Sequence, residues 1–365
     1  MSDLVLVYTK YMTCYIGGDF DSSSSAAYEC DSSVSYQLYF PQKINSKYRY
    51  YFETGIDSLS QIVLNIYNRK NSTPIYLWFP VHYCIETILR LKNKLEDRLP
   101  LVVVYYASFE ELKIANQYTN ILLLNHFNKY LETAKETIDL YKNAGWVVVE
   151  DFVQAPFDIS KTTGDYSFNS LRKIADIEVS ICYMFNTLIE ASKKQSDYYK
   201  IKKKATNIKS VFLKKGNKEL EEVYLSLFKK AELSLWNKEI FLAQEREVGK
   251  LLRINWEKLL LKRIENYSFL ENKIRSINQV QLLPGKYMYL IIRVLSRDKL
   301  KKYFFSKNVF TAIHWPDSFD TIKLELLSLH IDQRYNKTNM EYIYILRSFI
   351  MKKHSCKVRM VEIKF

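Results

Sequence analysis

The chain is poor in glycine and proline, with 8 and 7 among 365 residues, while lysine, tyrosine, isoleucine and asparagine abound. That bias is the kind an AT-rich genome produces and carries little functional information. Its five cysteines, at 14, 30, 84, 182 and 356, are odd in number, scattered and without paired metal spacing. A disulfide framework and a zinc site are therefore not expected, and no metal site is assigned. No apolar run approaches the roughly 18 residues a membrane span requires. The opening Met1-Ser2-Asp3, followed by the short Leu4–Tyr8 stretch, lacks the basic start and long apolar region of a signal peptide. The expectation is a cytoplasmic protein with no membrane partner.

What is present is ordinary for a globular protein: 48% hydrophobic residues, 26% charged residues and a length that can bury a large core. The net charge of +14 is uneven, with ten lysines against the single acid Asp197 between Lys193 and Lys218. Interspersed Ile201, Ile208 and Leu213 suit helices with a solvated basic face. Such a field also attracts phosphorylated small molecules. No nucleic-acid motif accompanies it, so no nucleic-acid partner is expected.

Along the chain, short apolar runs alternate with helix-length polar segments. Ile75–Phe79, Leu101–Tyr105, Ile121–Leu124 and Trp146–Val149 read as strands, and Leu59, Ile62, Val63, Ile66 and Tyr67 repeat at helical spacing. Asp57 or Ser58 suits the cap of that helix, with Gly55 permitting a tight turn before it. The alternation predicts an α/β protein with a mostly parallel central sheet flanked by helices. Helical patterns then run over 185–252 and 256–277. Strands at 287–294, 309–314 and 326–331 and helices at 297–306 and 340–352 predict a smaller α+β C-terminal domain. The expected layout is an arm over 1–50, a large domain over 51–250 and a small domain over 251–365.

One stretch, residues 147–173, concentrates chemistry. Val147–Val149 reads as a buried strand that delivers Glu150 and Asp151 at its carboxyl end, then Gln154. A second strand-like piece, Asp165–Phe168, leads into Ser170-Leu171-Arg172-Lys173. Ligands of open α/β sheets bind beyond the carboxyl ends of strands. A carboxylate, an amide, a hydroxyl and an amine gathered there suit pyridoxal 5'-phosphate (PLP). That cofactor needs a lysine amine for covalent attachment and an acid to keep its ring nitrogen protonated. Serine hydroxyls and helix-start amides can hold its phosphate.

The blocks EDFVQAP (150–156) and GDYSFNSLRK (164–173) resemble those of the sugar aminotransferase family of DegT/StrS type, within the PLP-dependent fold type I. Ile16–Phe20, Thr54–Leu59, Pro80–Cys84 and Ile331–Tyr335 resemble further blocks of that family, in the same order. The resemblance implies that Lys173 carries PLP, Asp151 faces the ring nitrogen and Gln154 the phenolic oxygen. It implies that Ser170, with backbone amides near Ile56 and Asp57, binds phosphate. His82, or else Tyr83, would stack on the ring. Arg334 and His314 are the candidates for substrate contact, and His126 for a place bordering the site or a structural role.

The chain also departs from the family. The serine-to-lysine step is three residues where five is common, so Ser167 competes with Ser170 for the phosphate. Glycines are missing after Lys173, and Ile56-Asp57 is unusual in the phosphate turn. The resemblance implies an aminotransferase moving nitrogen from an amino donor, glutamate, to a keto sugar or sugar nucleotide, and a homodimer. Another PLP-dependent reaction on the same fold, or a non-catalytic relative that binds PLP or a nucleotide sugar, is the alternative.

Overall fold

A computed structural model of the chain describes residues 15–24, 28–29, 34–81, 83–127, 130–186, 189–277, 280–283, 285, 287–313 and 325–346. These form two compact units, one from Asp19 to Leu259 and one from Leu260 onward, which also takes in residues 15–18. Strand β1 (Ile16–Gly17) belongs to the second.

The larger unit is built on eight strands: β2 (Lys43–Ile44), β3 (Lys47–Phe52), β4 (Ile75–Pro80), β5 (Leu101–Tyr106), β6 (Thr119–Asn125), β7 (Val147–Asp151), β8 (Tyr166–Phe168) and β9 (Ser180–Met184). Their spatial order is β2-β3-β9-β8-β7-β6-β4-β5. From β5 to β8 all pairings are parallel. Strand β9 runs antiparallel to β8, and β3 antiparallel to β9, so the sheet is parallel on one side and antiparallel on the other. Every residue of β6 and β7 is buried, which is why both read as unbroken apolar runs ending in polar residues. The register sets Asn125 opposite Asp151, and Asp151 opposite Phe168. Three strand ends therefore meet where Asp151 emerges.

Helices α1 (Val34–Tyr39), α2 (Gly55–Arg69), α3 (Ile85–Leu95), α4 (Tyr130–Asn143), α5 (Asp197–Lys215), α6 (Lys218–Ser234), α7 (Glu245–Arg253) and α8 (Trp256–Ile274) follow in chain order. The single helical pattern expected over 185–252 is thus three helices. Gly216 ends α5 at φ +68°, a left-handed conformation that glycine adopts without penalty. Asn217 then caps α6 by accepting from the Glu219 amide.

The lysine-rich run is not wholly solvated. Lys202 and Lys209 turn inward, the first 3.1 Å from the Asp19 carboxylate and the second donating to the Asp19 carbonyl. Lys200, Lys204, Lys214, Lys215 and Lys218 stay exposed.

The smaller unit carries an antiparallel sheet of β10 (Gln281–Leu283), β11 (Tyr289–Arg293) and β13 (Leu326–His330) in that order. Strand β12 (Val309–Phe310) pairs in parallel with β1. Helices α9 (Arg297–Phe305) and α10 (Lys337–Leu346) complete it, over a core that includes Leu290, Ile292, Leu327 and Leu329.

Candidate active site

Adjacent residues of a strand point to opposite faces, and Glu150 and Asp151 use that alternation to serve different ends. The Asp151 Oδ2 accepts from the Tyr83 hydroxyl at 2.6 Å and from Asn125 Nδ2 at 3.2 Å, while Oδ1 accepts from the Val153 amide at 2.7 Å. Burial raises its pKa; these bonds and the charge of Lys173 pull the other way without cancelling it. Glu150 instead holds the loop that follows. It accepts from Thr162 Oγ1, from the Thr163 amide at 2.9 Å and the Gly164 amide at 2.5 Å, and shares 2.9 Å with His126 Nε2. A Cβ at Gly164 would lie 2.8 Å from Glu150 Oε2, so the contact admits only glycine there. His126 stacks on Phe152 with ring centroids 4.1 Å apart, in the structural role foreseen for it.

Lys173 ends a short 3-10 turn, Leu171–Lys173, that follows β8. Its amine has no hydrogen-bond or ion-pair partner among the described residues. Burial lowers its pKa, and the neighbouring Arg172 charge adds to that, against the attraction of Asp151. Asp151 ends β7 and Lys173 follows β8, the strand paired with it, so the two residues belong to neighbouring strand ends. An unpaired amine held below the ordinary lysine range has the lone pair available that attack on a carbonyl carbon requires.

Helix α2 begins beside this turn. Its cap is Thr54, not Asp57 or Ser58: the Thr54 Oγ1 accepts from the Asp57 amide at 3.2 Å. The Asp57 carboxylate turns inward, where its Oδ2 accepts from the Thr54 hydroxyl at 2.6 Å and its Oδ1 lies 3.1 Å from Lys94 Nζ. A carboxylate facing a phosphate would repel it, whereas this one is buried and paired with Lys94 and Thr54. One expectation is also corrected, since the Asp57 amide is already bonded to Thr54. The amides of Gly55 and Ile56 are left without a partner among the described residues, as first-turn amides are unless something external binds them.

Ser170 is the serine that stands at this helix start. A Cβ at Gly55 would lie 3.4 Å from the Ser170 Cβ, and the Ser170 side chain makes no cap bond of its own. Ser167 is enclosed within β8 between β7 and β9, with its hydroxyl unpartnered. Gln154, one turn beyond Asp151, is buried with its Oε1 unpartnered. Tyr83 packs against Phe79 and directs its hydroxyl to Asp151.

Arg334 lies in the smaller unit and grips Asp332 through two parallel bonds of 2.8 and 3.0 Å, with a further bond of 3.2 Å to the Gly18 carbonyl. That fork, offered by the sequence for a donor carboxylate, is engaged within its own loop. His82 and His314 lie outside the described residues.

Three contributors escaped the sequence: Asn125, which the β6–β7 register brings to Asp151; Thr54, which caps α2; and Arg172, considered below. Only Thr54 left a local sign, as a threonine three residues ahead of an aspartate.

No known family's sequence profile matches the chain, and no curated protein sequence does. Solved structures do match in fold. DesV of S. venezuelae, solved with a ketimine intermediate, is 12% identical over 96% of this chain and 95% of its own, with a TM-score of 0.57. The sugar aminotransferase CalS13 of Micromonospora echinospora is 11% identical over 96% and 97%, at 0.55. The E coli GDP-4-keto-6-deoxy-D-mannose-3-dehydratase, solved with bound hydrated PLP, is 9% identical over 94% and 95%, at 0.54. The chain therefore shares the fold of sugar-modifying enzymes that include aminotransferases and a dehydratase. The sequence resemblance and the likeness in fold point to the same group.

Proposed function

We propose that the protein is a PLP-dependent aminotransferase acting on a keto sugar, nucleotide-linked in its natural form, with glutamate as amino donor. One observation carries the reading: at the carboxyl ends of β7 and β8, Lys173 offers an unpaired amine within the electrostatic reach of a buried carboxylate, Asp151. The residues present fit the cofactor. Gly55 and Ile56 amides with the Ser170 hydroxyl form a cradle for a phosphate, and the Nε2–H of the buried Gln154 is a donor suited to a ring oxygen. PLP, when bound, supplies an electron sink for carbanion chemistry.

The chain's own residues supply the rest. Lys173 would hold the cofactor, and its amine would move a proton as general acid and base. Asp151, oriented by Tyr83 and Asn125, keeps a positive charge favourable at the ring nitrogen. Sugar and donor specificity come from the shared fold of the neighbours and the resemblance of the sequence blocks. A homodimer is the proposed assembly.

The test is spectroscopic. The purified protein with PLP should show a visible absorption band, and borohydride reduction should fix the cofactor to the peptide containing Lys173. Lys173→Ala should abolish both. Adding glutamate should convert the band to that of the aminated cofactor; a band unmoved by glutamate would rule out transamination and favour dehydration, which one neighbour of this fold catalyses.

A further inference from the structure

Arg172 and Lys173 are consecutive on one 3-10 turn, yet their side chains have opposite surroundings. Arg172 Nη1 donates to Glu232 Oε1 at 2.7 Å and to the Tyr198 hydroxyl oxygen at 2.8 Å, and the guanidinium lies 5.6 Å from the Tyr198 ring centre. Tyr198 in turn donates to Glu178 Oε2 at 2.6 Å. Arg90 on α3 bonds the other oxygen of Glu232 at 3.2 Å. The guanidinium thereby ties the turn to α5 at Tyr198, to α6 at Glu232 and, through Glu232, to α3. Lys173 next to it has no partner among the described residues.

We propose that Arg172 is the positioning residue for Lys173: its hold on Glu232 and Tyr198 fixes the turn in the orientation that leaves the Lys173 amine free beside Asp151. The proposal rests on the reading of Lys173 as the cofactor-bearing lysine. Backbone bonds from the Leu171 amide to the Val179 carbonyl and from the Ile174 amide to the Leu171 carbonyl, both 2.9 Å, hold the ends of the turn, and the Arg172 side chain adds the anchor between them. A guanidinium cannot shed its proton, and here its Nη1 alone serves both Glu232 and Tyr198. Its charge beside the amine adds to the effect of burial, and together they outweigh Asp151 and Glu232, which pull the other way. Arg172 thus does two things: it orients the amine and it keeps a larger share of it unprotonated. Neither requires Arg172 to touch cofactor or substrate.

The experiment measures Lys173 itself. The full chain, without added PLP, is treated with an amine-acylating reagent over a range of pH, and acylation at Lys173 is followed by mass spectrometry. Parallel samples loaded with PLP are reduced with borohydride and scored for cofactor on the Lys173 peptide. Arg172→Gln should shift the acylation profile of Lys173 to higher pH and slow its labelling near pH 8 relative to wild type. Arg172→Lys keeps a cation but does not reproduce the planar group that spans Glu232 and the Tyr198 hydroxyl, so the pH profile should be largely restored while the fraction of chains bearing PLP falls. An Arg172→Gln protein with a wild-type far-ultraviolet spectrum and an unshifted profile overturns the proposal. Should that variant not fold, Arg172→Lys with wild-type cofactor loading overturns it equally. The underlying assignment of Lys173 fails separately, if the wild-type protein fixes no PLP at Lys173 on reduction.

Discussion

Glu53 shows how much a single side chain's surroundings decide. It sits at the end of the region around β3, where Oε1 accepts from the Ser196 hydroxyl and Oε2 is buried without a hydrogen-bond partner. Burial pushes its carboxyl up to about 8 from 4.5, and the nearby Asp57 and Glu178 charges add to that, while the Ser196 bond opposes it. Between those values the folded chain keeps a proton that the unfolded chain has lost. The unfolded state then binds fewer protons, so this group's contribution to stability falls as pH rises through the window. Glu53→Gln should flatten that dependence, being relatively more stable than wild type at pH 8 than at pH 5, as measured by urea unfolding at each pH. Nothing in the sequence singled out Glu53, because its carboxyl looks like any other until the chain encloses it. Asp151 and Lys173, by contrast, drew attention in the sequence, since one ends a strand-like run, the other follows a second such run, and their chemistries complement one another.

At the scale of elements, helix α2 was legible in the spacing of Leu59, Ile62, Val63 and Ile66, but its start was not. Thr54 wins the cap because Asp57, the better capping residue by type, is drawn to Lys94 on α3. Both members of that pair are buried. Lys94 also donates to Asn237 Oδ1 at 3.3 Å and to the Glu239 carbonyl, so one ammonium joins α2, α3 and the segment after α6. Lys94→Met should therefore cost about 3–5 kcal/mol, the usual effect of leaving a buried charge unpaired. Adding Asp57→Asn should recover part of the loss, and chemical denaturation of the two single variants and the double variant gives the coupling. If the double variant is as unstable as the sum of the singles, the pair is not coupled. The 3-10 turn of Arg172 and Lys173 follows the same logic on a shorter element in the proposal above, with Arg172 tying it to α5 and α6.

For the whole molecule, the proposed cofactor would be a structural partner as well as a chemical one. A ligand that binds only the folded chain stabilises it by about 2.7 kcal/mol at a hundred times its Kd. PLP should accordingly raise the melting temperature of the wild-type protein, and raise it much less in Lys173→Ala, as scanning calorimetry would show. Light scattering that gives twice the chain mass of 43.4 kDa would support the homodimer, and the monomer mass would exclude it.

The sequence by itself determined what depends on neighbours in the chain. Continuous apolar runs predicted the buried parallel strands, the αβ alternation gave the architecture of the larger unit, and strand-end polar residues marked where a ligand belongs. Tertiary structure decided whatever depends on partners distant in sequence. It set the register that brings Asn125 to Asp151, buried Asp57 against Lys94 and turned Lys202 and Lys209 toward Asp19. It also separated Arg172 from Lys173, sending one to Glu232 and leaving the other free. The physical reason is common to all four: a polar side chain settles where its charge or hydrogen bonds are met, and that place is known only once the sheet and helices have assembled.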